Sequence, residues 1–325
     1  MRLGTLVLAS ALSLLAVCAN AQPAAGVPKV GYLGFPGEAR EASPMRDAFV
    51  RGLRDLGHVP GKTVILEVRH YATDEQLRQA LDELIRLKPQ VIFVGPPFGA
   101  LAAKRMTSEI AIVCGSCGDP VENGLAASLA RPGGNVTGLA SLSAELIGKR
   151  IGLLKEALPG TSRMAVLVFP ANPGTPATLK ALDMASRDLG VEIRRFEIRG
   201  ASDFDNALRS AAAAGVRAVV IQDDPLTRTV RVEVAELALK YRLAVSSGVT
   251  EVAEAGALMA YGPDRTDMVR RAAVFADKIF KGAKPADLPF EQAAKLELVL
   301  NLKTAKTLGV KIPQPFLLRV NRVIE

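Results

Sequence analysis

The sequence predicts an α/β protein of two doubly wound, Rossmann-like lobes joined by a hinge, and three observations carry that prediction. The chain has 325 residues, more than a single hydrophobic core usually supports. Short apolar runs alternate with stretches of helical period, the sequence form of a parallel sheet flanked by helices. That alternation begins near Val30 and restarts after Leu139, so two sheets of similar size are expected.

The first set opens with an apolar strand, Val30 to Leu33, and the loop Gly34-Phe35-Pro36-Gly37. A helix then carries Met45, Phe49, Leu53 and Leu56 at spacings of three and four and stops at Gly57,. Strand 63–68 leads to helix 74–87, whose Leu77, Leu81, Leu84 and Ile85 form one apolar stripe,. Strand 91–94, helix 100–107 and strand 110–114 follow. Asp119-Pro120 then has the form of a helix cap with proline at the first helical position, ahead of the Gly-rich exit Pro132-Gly133-Gly134 and another strand,. The second set reads as helix 144–158, strand 164–169, helix 175–189, strand 191–198, helix 203–214, strand 218–221, helix 227–241 and strand 243–246.

At the N-terminus, Met1-Arg2, an apolar run to Val17 and Ala19-Asn20-Ala21 read as an export signal over residues 1–21, with a mature start at Gln22,. Leu15-Ala16-Val17-Cys18 is a rival reading as a lipoprotein box. Val17 is larger than the residue that usually precedes an acylated cysteine, so free secretion is favoured. Export makes Cys114 and Cys117 candidates for a disulfide,. Continuous strand would hold their Cα atoms about 10 Å apart, beyond the roughly 7 Å limit, whereas a turn at Gly115-Ser116 would bring them into range. A structural pair is preferred to a thiol-exchange site, because a redox C-x-x-C wants its first cysteine at a helix start.

Composition excludes several classes. The mature chain has no apolar run of about 20 residues that could span a bilayer. The net charge of +8 comes from Lys and Arg dispersed along helices, with 5% aromatics and no Trp, so solvated helix faces explain it better than a nucleic-acid groove. There is no nucleophile elbow, phosphate loop or dinucleotide fingerprint. His58 and His70 stand alone, without a metal-ligand partner at helical or hairpin spacing,. No cofactor, no metal and no catalytic residue is expected.

The stretch Gly118-Asp119-Pro120-Val121-Glu122-Asn123-Gly124-Leu125 running to Gly138-Leu139 resembles the signature of extracytoplasmic solute-binding proteins that serve ABC-type importers. Leu258-Met259-Ala260-Tyr261-Gly262-Pro263 and the run from Gly282-Ala283-Lys284-Pro285 to Leu302-Lys303-Thr304-Ala305-Lys306 resemble the same family. The resemblance covers essentially the whole mature chain. It implies a type I periplasmic-binding-protein fold, with strand 257–261 and helix 267–281 returning to the first lobe and a final crossing near 296–300. The lobes are then 28–139 plus 262–292, and 140–261 plus 293–325. It also implies a monomeric periplasmic receptor that hands a small organic ligand, an amino acid or related compound, to a membrane permease.

Ligands in wound α/β sheets gather at the carboxyl ends of strands, which here nominates six loops, three from each lobe. The candidate ligand-binding residues on them are Phe35, Pro97, Phe98, Cys117, Asp119, Asn172, Asp223, Asp224, Ser247 and Thr250. Asp224 is the first choice, because an amino group in a dry cleft needs a carboxylate partner; of Asp223 and Asp224, one is expected to face outward. Phe35 and Phe98 could equally pack under their loops, Asp119 and Asp224 could be helix caps, and Asn172 could only shape a turn. Family members often carry Gly-Thr-Pro or Ala-Thr-Pro where this chain has Pro96-Pro97-Phe98. Pro97 supplies neither the hydroxyl nor an N–H, so a carboxylate must find other donors, or the ligand is not an α-amino acid. A sensory module for a signalling partner is the alternative function, and thiol exchange at Cys114 and Cys117 a third.

Overall fold

A computed structural model of the protein describes residues 26–34 and 43–325. The export signal, Cys18 and Phe35 lie outside the described residues. The chain forms β1 (Lys29–Leu33), α1 (Pro44–Asp55), β2 (Ile65–Arg69), α2 (Asp74–Arg86), β3 (Val91–Val94), α3 (Pro97–Met106), β4 (Ala111–Cys114) and β5 (Val136–Ala140). It continues as α4 (Ser143–Ala157), β6 (Arg163–Val168), α5 (Thr175–Leu189), β7 (Glu192–Glu197), α6 (Asp203–Ala213), β8 (Ala218–Ile221), α7 (Pro225–Thr229), α8 (Arg231–Lys240), β9 (Ala244–Ser247), α9 (Thr250–Glu254) and β10 (Met259–Pro263). α10 (Arg265–Phe280), β11 (Glu291–Gln292), β12 (Leu296–Asn301), α11 (Leu302–Leu308), α12 (Gln314–Leu317) and β13 (Arg322–Ile324) complete it.

Two sheets result. One runs β11-β5-β4-β3-β1-β2 and is parallel throughout; the other runs β13-β12-β10-β9-β8-β6-β7, parallel except where β10 meets β12. Central strands such as Val91–Val94 and Ala218–Ile221 are buried at every residue, which is why they read as unbroken apolar runs rather than alternating ones. The edge strands β2 and β7 carry Glu67, Arg69, Glu192, Arg194, Arg195 and Glu197, charges that discourage pairing with another chain.

The chain passes between the sheets three times. After β5 it crosses through Ser141-Leu142, with Leu142 in the left-handed region at φ 47°. After β10 it returns, and α10 buries Met268, Val269, Ala272 and Phe275 in the first core beside Phe49 and Leu53. β11 joins β5, and β12 then lies in the second sheet. The crossings are tied together, because Ala293 N–H donates to the Ala140 carbonyl and Asp264 N–H to that of Lys295.

Local differences from the sequence reading have local causes. No helix forms after Asp119: its Oδ1 accepts from the N–H groups of Val121 and Glu122, and the segment closes one turn before Gly124 enters the left-handed region at φ 69°,. Helix α3 starts at Pro97, three residues early, since its fixed φ suits the first helical position,. The stretch expected to be helical from 227 starts at Pro225 and divides at Val230. β4 ends at Cys114, and the turn that follows brings Cys114 and Cys117 to a Cα separation of 5.7 Å, joined as a disulfide. Both are fully buried, which leaves an attacking thiolate no route to them.

Helix α1 meets α10 at Gly52, where a Cβ would stand 2.1 Å from the Arg270 carbonyl oxygen. Gly52→Val is expected to force the helices apart and cost about 1–3 kcal/mol, read as a lower urea midpoint at unchanged slope; unaltered stability would mean that this approach is not required.

Candidate functional site

The carboxyl ends of the two sheets face a shared cavity of about 940 Å³. From the first sheet side it is lined by Tyr71, Pro96, Pro97, Phe98, Leu101, Ser116, Gly118 and Asp119, and from the second by Arg150, Phe169, Asn172, Gln222, Asp223 and Asp224. The first-sheet side carries an aromatic pair: Tyr71 and Phe98 meet edge to face, with ring centroids 6.1 Å apart at 77°, the arrangement their ring quadrupoles favour. Beside them, Gly118 at φ 63° accepts at its carbonyl from the N–H groups of Ser141 and Leu142, while its own N–H donates to Ser141 Oγ at 3.1 Å. The wall of the cavity is thus pinned to the first crossing.

The opposite wall is polar and linked. Asn172 Nδ2 donates to Asp224 Oδ2 at 2.9 Å and to the Asp223 carbonyl at 3.0 Å, and its Oδ1 accepts from Gly174 N–H at 2.9 Å. That one side chain joins the loops after β6 and β8. Asp224 Oδ1 accepts from Leu226 N–H at 2.9 Å and so caps α7, leaving both oxygens held in place. Burial pushes the Asp224 carboxyl above its ordinary range despite the hydrogen bonds from Leu226 and Asn172, and the charge of Asp223 adds to the rise,.

Asp223 engages a buried cation. Arg150, with no solvent exposure, donates through Nη2 to Asp223 Oδ2 at 2.8 Å and through Nε to the Tyr261 carbonyl at 2.7 Å. Gly248 lies directly over the pair: a Cβ there would stand 2.0 Å from Arg150 Nη2 and 2.1 Å from Asp223 Oδ1. Glycine at 248 is therefore a condition of the ion pair.

Six of the residues nominated from sequence line the cavity: Pro97, Phe98, Asp119, Asn172, Asp223 and Asp224. Asp223 and Asp224 both do so, correcting the expectation that one would face outward; the extended Asp224 that precedes Pro225 and the arginine beneath Asp223 keep both carboxylates turned inward. Cys117 is locked in its disulfide, Ser247 is buried with its Oγ accepting from Val249 N–H, and Thr250 Oγ1 donates to Glu251. None of these three lines the cavity.

Tyr71, Gln222 and Arg150 were missed from sequence. Gln222 lies one residue past β8, donates through Nε2 to Thr175 Oγ1 at 2.9 Å and accepts from Phe169 N–H at 3.0 Å. Arg150 did leave a signal, for it falls on the apolar stripe of α4 with Ile147, Ile151 and Leu154, and a charge on a buried stripe asks for a partner. His58 is engaged elsewhere, its Nε2 lying 2.9 Å from Asp277 Oδ1. Among the described residues no group of His, Cys, Asp and Glu could hold a metal ion, and no helix is long and apolar enough to cross a membrane.

Two predominantly parallel sheets joined by three crossings, with their strand exits facing one cavity, define a type I periplasmic-binding-protein fold. A family model described as ABC transporter substrate binding protein matches residues 38–324, and the chain belongs to that family. A tyrosine-binding protein of Clostridioides difficile is 22% identical over 267 residues, 82% of this chain and 76% of that protein. A conserved domain protein from Vibrio cholerae superposes with a TM-score of 0.84 at 23% identity, covering 91% of this chain and 99% of that one. The domain crystallised with L-Trp from Streptococcus pneumonia superposes at 0.82 with 20% identity, again over 91% and 99% of the two chains.

The raised Asp224 carboxyl makes a signed prediction. A carboxyl lifted in the folded state stabilises the fold below the ordinary aspartate range and loses that contribution as pH rises through its folded value. Stability of the wild type relative to Asp224→Asn should therefore fall as pH rises from about 4 and then level off. Urea melts of both proteins along a pH series test it, and a wild type that gains stability relative to the variant as pH rises would contradict the assignment.

Proposed function

We propose that this protein is the extracytoplasmic receptor of an ABC-type importer and that its cargo is an amino acid with an aromatic side chain. The observation that carries the reading is the composition of the two facing walls. Asp224, held by Asn172 and Leu226, offers a desolvated carboxylate to an ammonium group, and the Tyr71–Phe98 pair offers an edge-to-face surface to a ring,. The tyrosine and L-Trp bound by the relatives support the same class of cargo. The lobes of the receptor are residues 28–139 plus 262–292 and residues 140–261 plus 293–325. A ligand touching both walls binds the closed arrangement better than the open one, and that difference drives closure and presents a distinct surface to the permease. The receptor acts as a monomer, reaches the periplasm through its N-terminal signal, and is released there.

Titration with L-tyrosine, L-tryptophan and L-phenylalanine, followed by thermal unfolding and calorimetry, tests the cargo. A true ligand at 100 times its Kd adds about 2.7 kcal/mol of stability, and Asp224→Asn should weaken it by about tenfold or more, at least about 1.4 kcal/mol. Binding that ignores Asp224→Asn, or no response to any of the three, would reject the reading. Export predicts a mature protein beginning at Gln22, and N-terminal sequencing of the periplasmic fraction would expose an uncleaved or acylated start.

A further inference from the structure

Arg150 holds donors that the fold does not use. Its Nε is committed to the Tyr261 carbonyl and its Nη2 to Asp223 Oδ2, yet Nη1 is buried with no hydrogen-bond partner among the described residues. A guanidinium carries five N–H groups in a rigid fork, and a buried donor left unmade costs about 1–3 kcal/mol. The same residue lines the cavity.

We infer that Arg150 is the carboxylate anchor of the cargo, a second charged contact on the second-lobe side of the cavity. This rests on the receptor reading above and sharpens it, because it requires a ligand with an anionic group as well as an ammonium. The arrangement sorts the two charges. Asp223 neutralises one edge of the guanidinium and Gly248 closes over that edge, since any Cβ there would collide with both groups. Among the described residues Nη1 is the guanidinium nitrogen left without a partner, on a side chain that lines the cavity, while Asp224, the residue after Asp223, takes the cation. A zwitterion therefore meets a buried donor and a buried acceptor on one wall. The loop at Pro96-Pro97 supplies neither a hydroxyl nor an N–H from its prolines, so the anionic end is served from the second lobe instead.

Other arginines line the same cavity and are poorer anchors. Arg78, Arg105 and Arg199 are exposed, and Arg199 is already paired with Glu197; exposed charges are screened and discriminate little. Arg265 also lines the cavity and is half-buried, but its charge already acts on the Glu251 carboxylate, which it helps to lower. A desolvated guanidinium discriminates strongly, because a ligand lacking the acceptor leaves the donor unmade.

Three probes separate the contributions: L-tyrosine, tyramine, which lacks the carboxylate, and 3-(4-hydroxyphenyl)propionate, which lacks the amine. The wild type should bind L-tyrosine at least about tenfold more tightly than tyramine, a difference of about 1.4 kcal/mol. In Arg150→Met that advantage should vanish, with tyramine affinity little changed. A merely structural arginine would weaken both probes alike. Because Arg150→Met strands Asp223, the double variant Arg150→Met/Asp223→Asn removes both charges and keeps the comparison if the single variant fails to fold. Retention of the tyrosine advantage in either variant overturns the inference while leaving the receptor reading standing. Binding of the propionate alone, lost with Arg150, would support the anchor and reject the amino-acid reading. Failure of all three probes on the wild type would reject both.

Discussion

Arg150 brings a full charge into the second lobe at a place where α4 otherwise buries Ile147, Ile151 and Leu154. A cation without solvent must be neutralised where it stands, and removing one partner of such a pair typically costs about 3–5 kcal/mol. Asp223 on the loop after β8, the Tyr261 carbonyl on β10 and the bare backbone of Gly248 after β9 all converge on it. One guanidinium thereby ties the loop after β8 to β10, beneath the backbone that follows β9. Because β10 is also the strand from which the chain leaves for α10, the pair links the wall of the cavity to a crossing between the sheets.

The cavity inherits its chemistry from that arrangement. Asp223 is neutralised by its arginine, while its neighbour Asp224 accepts from an amide and a backbone N–H. Adjacent carboxylates thus take different roles, as environment rather than identity dictates. On the other side, the disulfide between Cys114 and Cys117 closes the turn after β4, and Gly118 follows immediately with its hydrogen bonds to Ser141 and Leu142. The second-sheet side holds the networked carboxylates and the first-sheet side the aromatic pair, and each is attached to the crossings that would move if the sheets rotated about them. A binding protein needs this attachment, since a ligand can shift a conformational equilibrium only by the difference in its contacts with the two states.

Much of the fold was legible in the sequence because buried parallel strands and amphipathic helices leave strong periodic marks. Val91–Val94 could hardly be anything but an interior strand, and the stripe from Leu77 to Leu84 appears as the buried face of α2. The errors lie where local rules compete. Asp119-Pro120 has every mark of a helix start, yet Gly124 ends the segment after one turn. Pro225 advances its helix, and Val230 divides it. The site was partly legible for a related reason: strand exits can be counted from the alternation, and loops at strand exits line such cavities. Which side chain on each loop turns inward could not be counted. Ser247 and Thr250 sit on a nominated loop but do not line the cavity, while it is Gly248 between them that covers the ion pair.

By itself the sequence determined the class of architecture, the two-sheet division and the cysteine pair that a turn could join, because these depend on periodicity and on separations along the chain. Only the tertiary structure decided that Asp223 and Asp224 both turn inward, that Arg150 lies beneath one of them, and that Tyr71 meets Phe98. Those outcomes depend on distances between residues as far apart in sequence as Arg150 and Tyr261, which come together only when α4 packs on the face of the second sheet. A one-dimensional pattern carries the period of each element; it does not carry the angle at which one element meets another, and that angle places the charges.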